Sequence, residues 1–156
     1  MADIQGMQAA IAACREGIAA GQSPFGATVV KDGRVVASTH NTVWRDVDPT
    51  AHAEVNALRA AARALGTIDL AGCTLYSTCE PCPMCLAASH WAKVDRVAYG
   101  ATIADAEAAG FAELAVPARR LAEMGGSRIR VDEGPLREEC VGLFGEWKRA
   151  DKSSAY

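Results

Sequence analysis

FGATVVK (Phe25–Lys31), then Asp32-Gly33, then RVVAST (Arg34–Thr39) is the stretch on which the fold turns. Both runs are rich in β-branched residues, and a two-residue Asp-Gly connection between such runs is the strongest local signal for a β-hairpin. Upstream, Ile4, Met7, Ile11, Cys14 and Ile18 recur at helical spacing, so residues 3–19 are predicted to form one amphipathic helix stopped near Gly21. Downstream, Asp48-Pro49-Thr50 offers N-cap residues for a helix carrying Ala51, Val55, Leu58, Ala62 and Leu65 on one face and closed by Gly66. A short buried strand follows at Cys73–Thr78, then the proline-punctuated segment Cys79–Cys85 and a short helix to about Trp91. Val94–Tyr99 forms another strand, 102–115 a looser segment, and 117–124 a small helix before Gly125-Gly126. Ile129 and Val131 lie in a last strand, and Leu136, Cys140, Leu143, Trp147 and Ala150 mark a final amphipathic helix. Strands alternating with helices after an opening hairpin predict an α/β fold: a three-layer α/β/α sandwich around a mixed five-stranded sheet. Residues 1–156 form a single domain, without repeat or linker.

The chain of 156 residues is long enough to bury about 68–70% of its unfolded surface, so its core needs no disulfide staples. Half of it is apolar and 22% charged, an ordinary globular balance. Net charge is −3 and the isoelectric point near 5.6, whereas a nucleic-acid-binding domain usually lies above about 9. The one basic cluster, Arg119, Arg120, Arg128 and Arg130, fits a solvated face, and no nucleic-acid partner is expected. No uncharged stretch approaches the roughly 18 residues of a membrane span, and Asp3, Arg15 and Glu16 argue against a signal peptide, so no membrane partner and a cytoplasmic location are expected. Six cysteines in a reducing compartment point to metal or catalysis rather than disulfides.

Three features carry chemistry: His52-Ala53-Glu54, Pro81-Cys82-Pro83-Met84-Cys85, and Asn41. Cys82 and Cys85 sit three apart at a helix start, where both thiolates can point the same way and the helix dipole favours negative charge. Such a pair alone also fits a redox dithiol or two small core residues. His52 adds a nitrogen, and two thiolates with one imidazole leave a fourth tetrahedral position for water, as catalytic zinc sites do. Glu54 would then take a proton from the zinc-activated water, provided the metal lies over the first helical turn. Adding Cys79 would instead close a four-ligand structural site, a binding module without catalysis. Cys14, Cys73 and Cys140 are expected in the core. A backbone N–H near Ala53 or Cys82 could meet the anion that develops on a substrate.

H-x-E followed by P-C-x-x-C is the motif pair of zinc-dependent base deaminases. With Pro24-Phe25-Gly26-Ala27 upstream, most of the chain resembles the cytidine/nucleobase deaminase superfamily. Cys79-Glu80-Pro81-Cys82-Pro83-Met84-Cys85, Trp91, Asp105–Phe111 and the terminal Tyr156 are similar to the bacterial guanine deaminase branch. The resemblance implies a cytidine deaminase-like fold, one zinc per subunit and a free nucleobase as substrate. It implies that Asn41 hydrogen-bonds the base, that Phe25 and Trp91 pack near its ring, and that Tyr156, in the tail 151–156, closes the pocket. Glu113 would contact the base and shuttle protons, although the branch carries aspartate there. A homodimer with exchanged C-terminal segments is also implied. Cytosine, isoguanine, triazines and tRNA adenosine remain as other substrates for the scaffold.

Overall fold

The computed structural model describes residues 2–150 and 154–156. Helix α1 (Ala2–Ala19) leads into strands β1 (Gly26–Lys31) and β2 (Arg34–His40), which pair antiparallel. Asp32 and Gly33 have φ of 50° and 71°, the positive values that a two-residue turn of this hand demands. The chain continues through α2 (Val43–Asp46), α3 (Ala53–Leu65), β3 (Cys73–Cys79), α4 (Pro83–Trp91), β4 (Arg96–Ala101), α5 (Ile103–Ala108), α6 (Ala118–Met124), β5 (Arg130–Glu133) and α7 (Arg137–Ala150). The five strands form one sheet in the order β2-β1-β3-β4-β5. β3 is antiparallel to β1 and parallel to β4, and β4 is parallel to β5. The sheet is therefore mixed, and both its faces are covered.

Side chains alternate between those faces, as strand geometry requires. Ala27, Val29, Leu75, Val97 and Val131 pack with residues of α3, α4 and α6, including Ala57, Leu58, Leu86 and Ala122. Tyr76 and Ala98 face the opposite way, into Met7, Ile11, Cys14, Leu143 and Trp147 from α1 and α7. Cys14, Cys73 and Cys140 are buried, as expected. α1 lies close on β1 because Gly26 has no side chain. A methyl group there would run into the carbonyl oxygen of Ala10 and stand 2.7 Å from the Cys14 nitrogen, both backbone atoms of α1. Gly26→Ala should therefore force the helix off the sheet, costing about 1–3 kcal/mol or more. Urea denaturation of the zinc-loaded protein would read this as a lower midpoint.

Three stretches differ from the sequence expectation. The segment 102–115 is not loose throughout, because α5 occupies 103–108 behind a reciprocal capping box. There the Thr102 hydroxyl accepts from the Asp105 N–H, and the Asp105 carboxylate accepts from the Thr102 N–H. A further short helix, α2, follows the hairpin. The strand expected at Val94–Tyr99 begins two residues later and runs to Ala101.

Candidate active site

Parallel strands β3 and β4 both end at the edge of the sheet where open α/β folds place their ligands. The Glu80 N–H makes the last bond there, 2.7 Å to the carbonyl of Ala101. The chain then turns through Pro81 into α4. Cys82 is its N-cap in extended geometry (φ −64°, ψ 166°), and Pro83 occupies the first helical position, where a missing N–H costs nothing. Cys85 is the third residue of that helix.

α3 begins opposite, and its N-cap is His52 (φ −65°, ψ 153°) rather than a residue of Asp48-Pro49-Thr50. Asp48 instead accepts from the Thr50 N–H at 2.8 Å and its hydroxyl at 2.7 Å, closing an upstream turn on itself. This correction explains how His52 and Glu54 converge. Two residues apart inside a helix they would diverge, but the extended backbone at His52 swings its ring over the first turn. Ala53 is fully buried at the first helical position, so its N–H has no partner within α3.

The His52 Nδ1 lies 3.7 Å from the Cys82 Sγ and 3.5 Å from the Cys85 Sγ. A tetrahedral zinc about 2.3 Å from sulfur and about 2.0–2.1 Å from nitrogen sets such atoms about 3.6 Å apart. The three ligand atoms already stand at zinc spacing, and they form one compact group. The hydrogen bond from Cys85, helped by His52, holds the Cys82 thiol down to about 4, while Cys85, as the donor, is pushed up. The pair thus offers one thiolate readily, and a bound dication would take the second proton too. Cys79 is outside this group. Its thiol donates to the Thr102 carbonyl at 3.5 Å, so the closed four-ligand site does not form.

Glu54 is 5% exposed. One carboxylate oxygen accepts from the Ser77 hydroxyl at 3.0 Å and the other lies 3.5 Å from the Cys85 Sγ. Burial raises its pKa above the usual carboxylate range, so it holds a proton more readily than an exposed glutamate. Ser77 was not anticipated. Its signal was a polar residue within an otherwise buried strand.

Asn41, fully buried, accepts from the Val43 N–H and donates from Nδ2 to the Tyr156 hydroxyl at 2.6 Å. Tyr156 lies over the His52 ring with centroids 6.0 Å apart, edge-on to Phe111 at 5.5 Å. Its carbonyl accepts from the Ala112 N–H, and the Trp44 indole donates to the Ser154 carbonyl. Of the expected tail, 151–153 lie outside the described residues. Phe25, His52, Glu54, Cys82, Glu113 and Tyr156 enclose a cavity of about 30 Å³, which opens beside a groove of about 250 Å³ sharing His52, Cys82, Glu113 and Tyr156. Burial pushes the Glu113 carboxyl up to about 7.

Trp91 is not brought to this cavity. It stands at the far end of α4, 80% exposed, beside a separate groove lined by Leu86, Ala87, His90 and Leu121. The helix that carries Cys85 inward carries Trp91 away from the metal group.

Residues 1–101 match the cytidine and deoxycytidylate deaminase zinc-binding region. The guanine deaminase of Bacillus subtilis is 49% identical over 106 residues, spanning 67% of this chain and 68% of that protein. The tRNA-specific adenosine deaminase of the same organism is 34% identical over 143 residues, 92% of this chain and 86% of its own. Among solved structures, guanine deaminase from Nitrosomonas europaea superposes with a TM-score of 0.84 at 32% identity, covering 92% of this chain and 83% of that one. The chain belongs to the cytidine and deoxycytidylate deaminase family, zinc-dependent hydrolases of carbon–nitrogen bonds.

Proposed function

We propose that the protein hydrolyses free guanine to xanthine and ammonia. The observation that carries this reading is the aromatic roof. Tyr156, tied to Asn41 and edge-on to Phe111, closes a small pocket directly over the zinc ligands. A roofed pocket suits a planar free base better than a nucleotide held in a polymer, and the similarity to guanine deaminases supports the base chosen.

His52, Cys82 and Cys85 would hold a zinc ion, which would lower the pKa of a bound water from about 15.7 to about 7. Glu54 would accept one proton from the water that adds to C2 of the base and deliver it to the neighbouring ring nitrogen, then take the proton of the new C2 hydroxyl and pass it to the departing amine as the carbonyl forms. Its Ser77 contact keeps the carboxylate aimed through both transfers. The N–H of Ala53 or Cys82, at the helix starts, faces negative charge developing on the ring. Glu113, its carboxyl pushed up to about 7 by burial, exchanges a proton with the base edge, and Asn41 offers an amide donor to its carbonyl. Phe25 supplies an apolar wall.

Tyr156→Phe should raise KM for guanine about five- to tenfold with zinc content unchanged, because it removes the hydroxyl that anchors the roof to Asn41. An unchanged KM would mean that the roof is no part of substrate binding.

The exposed apolar groove on α4 and α6, with Trp91 at its rim, is proposed as the contact for a second copy in a homodimer. Tail exchange would place the same Tyr156 in the partner's pocket. No helix among the described residues is long and apolar enough to cross a membrane, and a cytoplasmic location is proposed.

Ultraviolet conversion of guanine to xanthine by the zinc-loaded protein tests the reading, with cytosine, isoguanine, triazines and tRNA adenosine as comparison substrates. Guanine as the best substrate supports it. Turnover confined to any of the others overturns it.

A further inference from the structure

Glu80 borders the small cavity but has no part in the chemistry above; it is 9% exposed, and both its carboxylate oxygens are engaged by the protein. One oxygen accepts from the Ile103 N–H at 3.1 Å and the other from the Ala118 N–H at 2.8 Å. These are the first residues of α5 and α6, whose N–H groups have no partner inside their own helices. A carboxylate between two helix starts gains from both dipoles and from charge-assisted bonds. The chain between those helices, 109–117, carries Glu113, and also Ala112, whose N–H holds the Tyr156 carbonyl. Glu80, two residues before the zinc ligand Cys82, thus holds Ala118 directly after that span and, through α5, the start of the helix that leads into it.

We infer that Glu80 is a positioning residue: by clamping the starts of α5 and α6 it fixes the reach of Glu113 over the zinc ligands. This rests on the reading of Glu113 as the group that meets the base. The backbone around Glu80 makes the clamp stiff. Its own N–H is bonded to Ala101, and the neighbouring Cys79 thiol to Thr102, so the carboxylate extends from a fixed root. Moving a reacting group by about 1 Å can cost about a hundredfold in rate, so a clamp of this kind governs turnover through the group that it positions.

Glu80→Gln keeps the volume and one acceptor but presents an NH2 group to the second N–H. The test compares the wild type, Glu80→Gln, Glu113→Ala and the double variant, all zinc-loaded, by guanine turnover and by NMR amide exchange at Ile103 and Ala118. At least one of those amides should exchange tenfold or more faster in Glu80→Gln at unchanged zinc content. Its kcat/KM should fall about ten- to a hundredfold beside an intact Glu113 and hardly at all beside Glu113→Ala. An equal fall in both backgrounds, loss of zinc, or unchanged exchange at both amides would overturn the clamp. If the wild type is silent towards guanine, the proposed function fails, while amide exchange still decides whether the clamp exists.

Discussion

Replacing Glu54 by Gln should lower turnover by about three to four orders of magnitude while zinc content and melting temperature stay close to wild type. Positioned acid–base groups contribute about 10²- to 10⁴-fold, and Glu54 is asked to move the proton in more than one step of the same reaction. The size of the effect comes from its isolation. At 5% exposure, and with Ser77 and Cys85 against its carboxylate, no bulk water stands ready to replace it. Glutamine fits the same space and can still accept from Ser77, so the fold has no reason to suffer. Removing a carboxylate whose pKa burial has raised relieves a desolvation cost. The comparison requires kcat and zinc measured on the same preparations. A variant retaining more than a tenth of wild-type turnover would assign the proton transfers elsewhere.

Removing zinc with a chelator should abolish activity and leave the secondary structure in place. His52, Cys82 and Cys85 come from two helix starts at one edge of the sheet, and none of the three belongs to the two apolar clusters that cover its faces. Loss of the ion removes only its binding contribution to stability, which grows with the logarithm of free zinc over its dissociation constant. Circular dichroism should be retained, the melting temperature should fall, and added zinc should restore turnover. A structural-zinc module behaves in the opposite way, unfolding on chelation. Collapse of the dichroism would therefore return the closed-site reading, although Cys79 is turned to Thr102.

The metal group, Glu54 and the order of strands and helices were legible because they rest on residue type at fixed spacing and on local periodicity. What escaped depended on distant contacts or on very short elements. Asp48 and Thr50 have the chemistry of N-caps, yet they satisfy each other and leave that position to His52. α5 is six residues long, too brief for a hydrophobic period, although Thr102 and Asp105 carried a capping signal. Trp91 was placed at the site by resemblance. A nine-residue helix separates its ends by about 13 Å at about 1.5 Å per residue, so within one chain Cys82 and Trp91 cannot line one small pocket. Glu80 has no local pattern at all, because its partners are supplied by helices that begin 23 and 38 residues later.

His52 and Cys82 are 30 residues apart, and the strand between them, β3, lies at the centre of the sheet with β1 on one side and β4 on the other. The ligands meet only when β3 has threaded into its slot, a non-local pairing of the kind that sets the pace of folding. Zinc therefore has nothing to gather in the early chain except the adjacent cysteines, and it cannot template the molecule as it does a zinc finger. Capture of the ion by all three ligands would therefore follow the pairing of β3 and report that the middle of the sheet is complete.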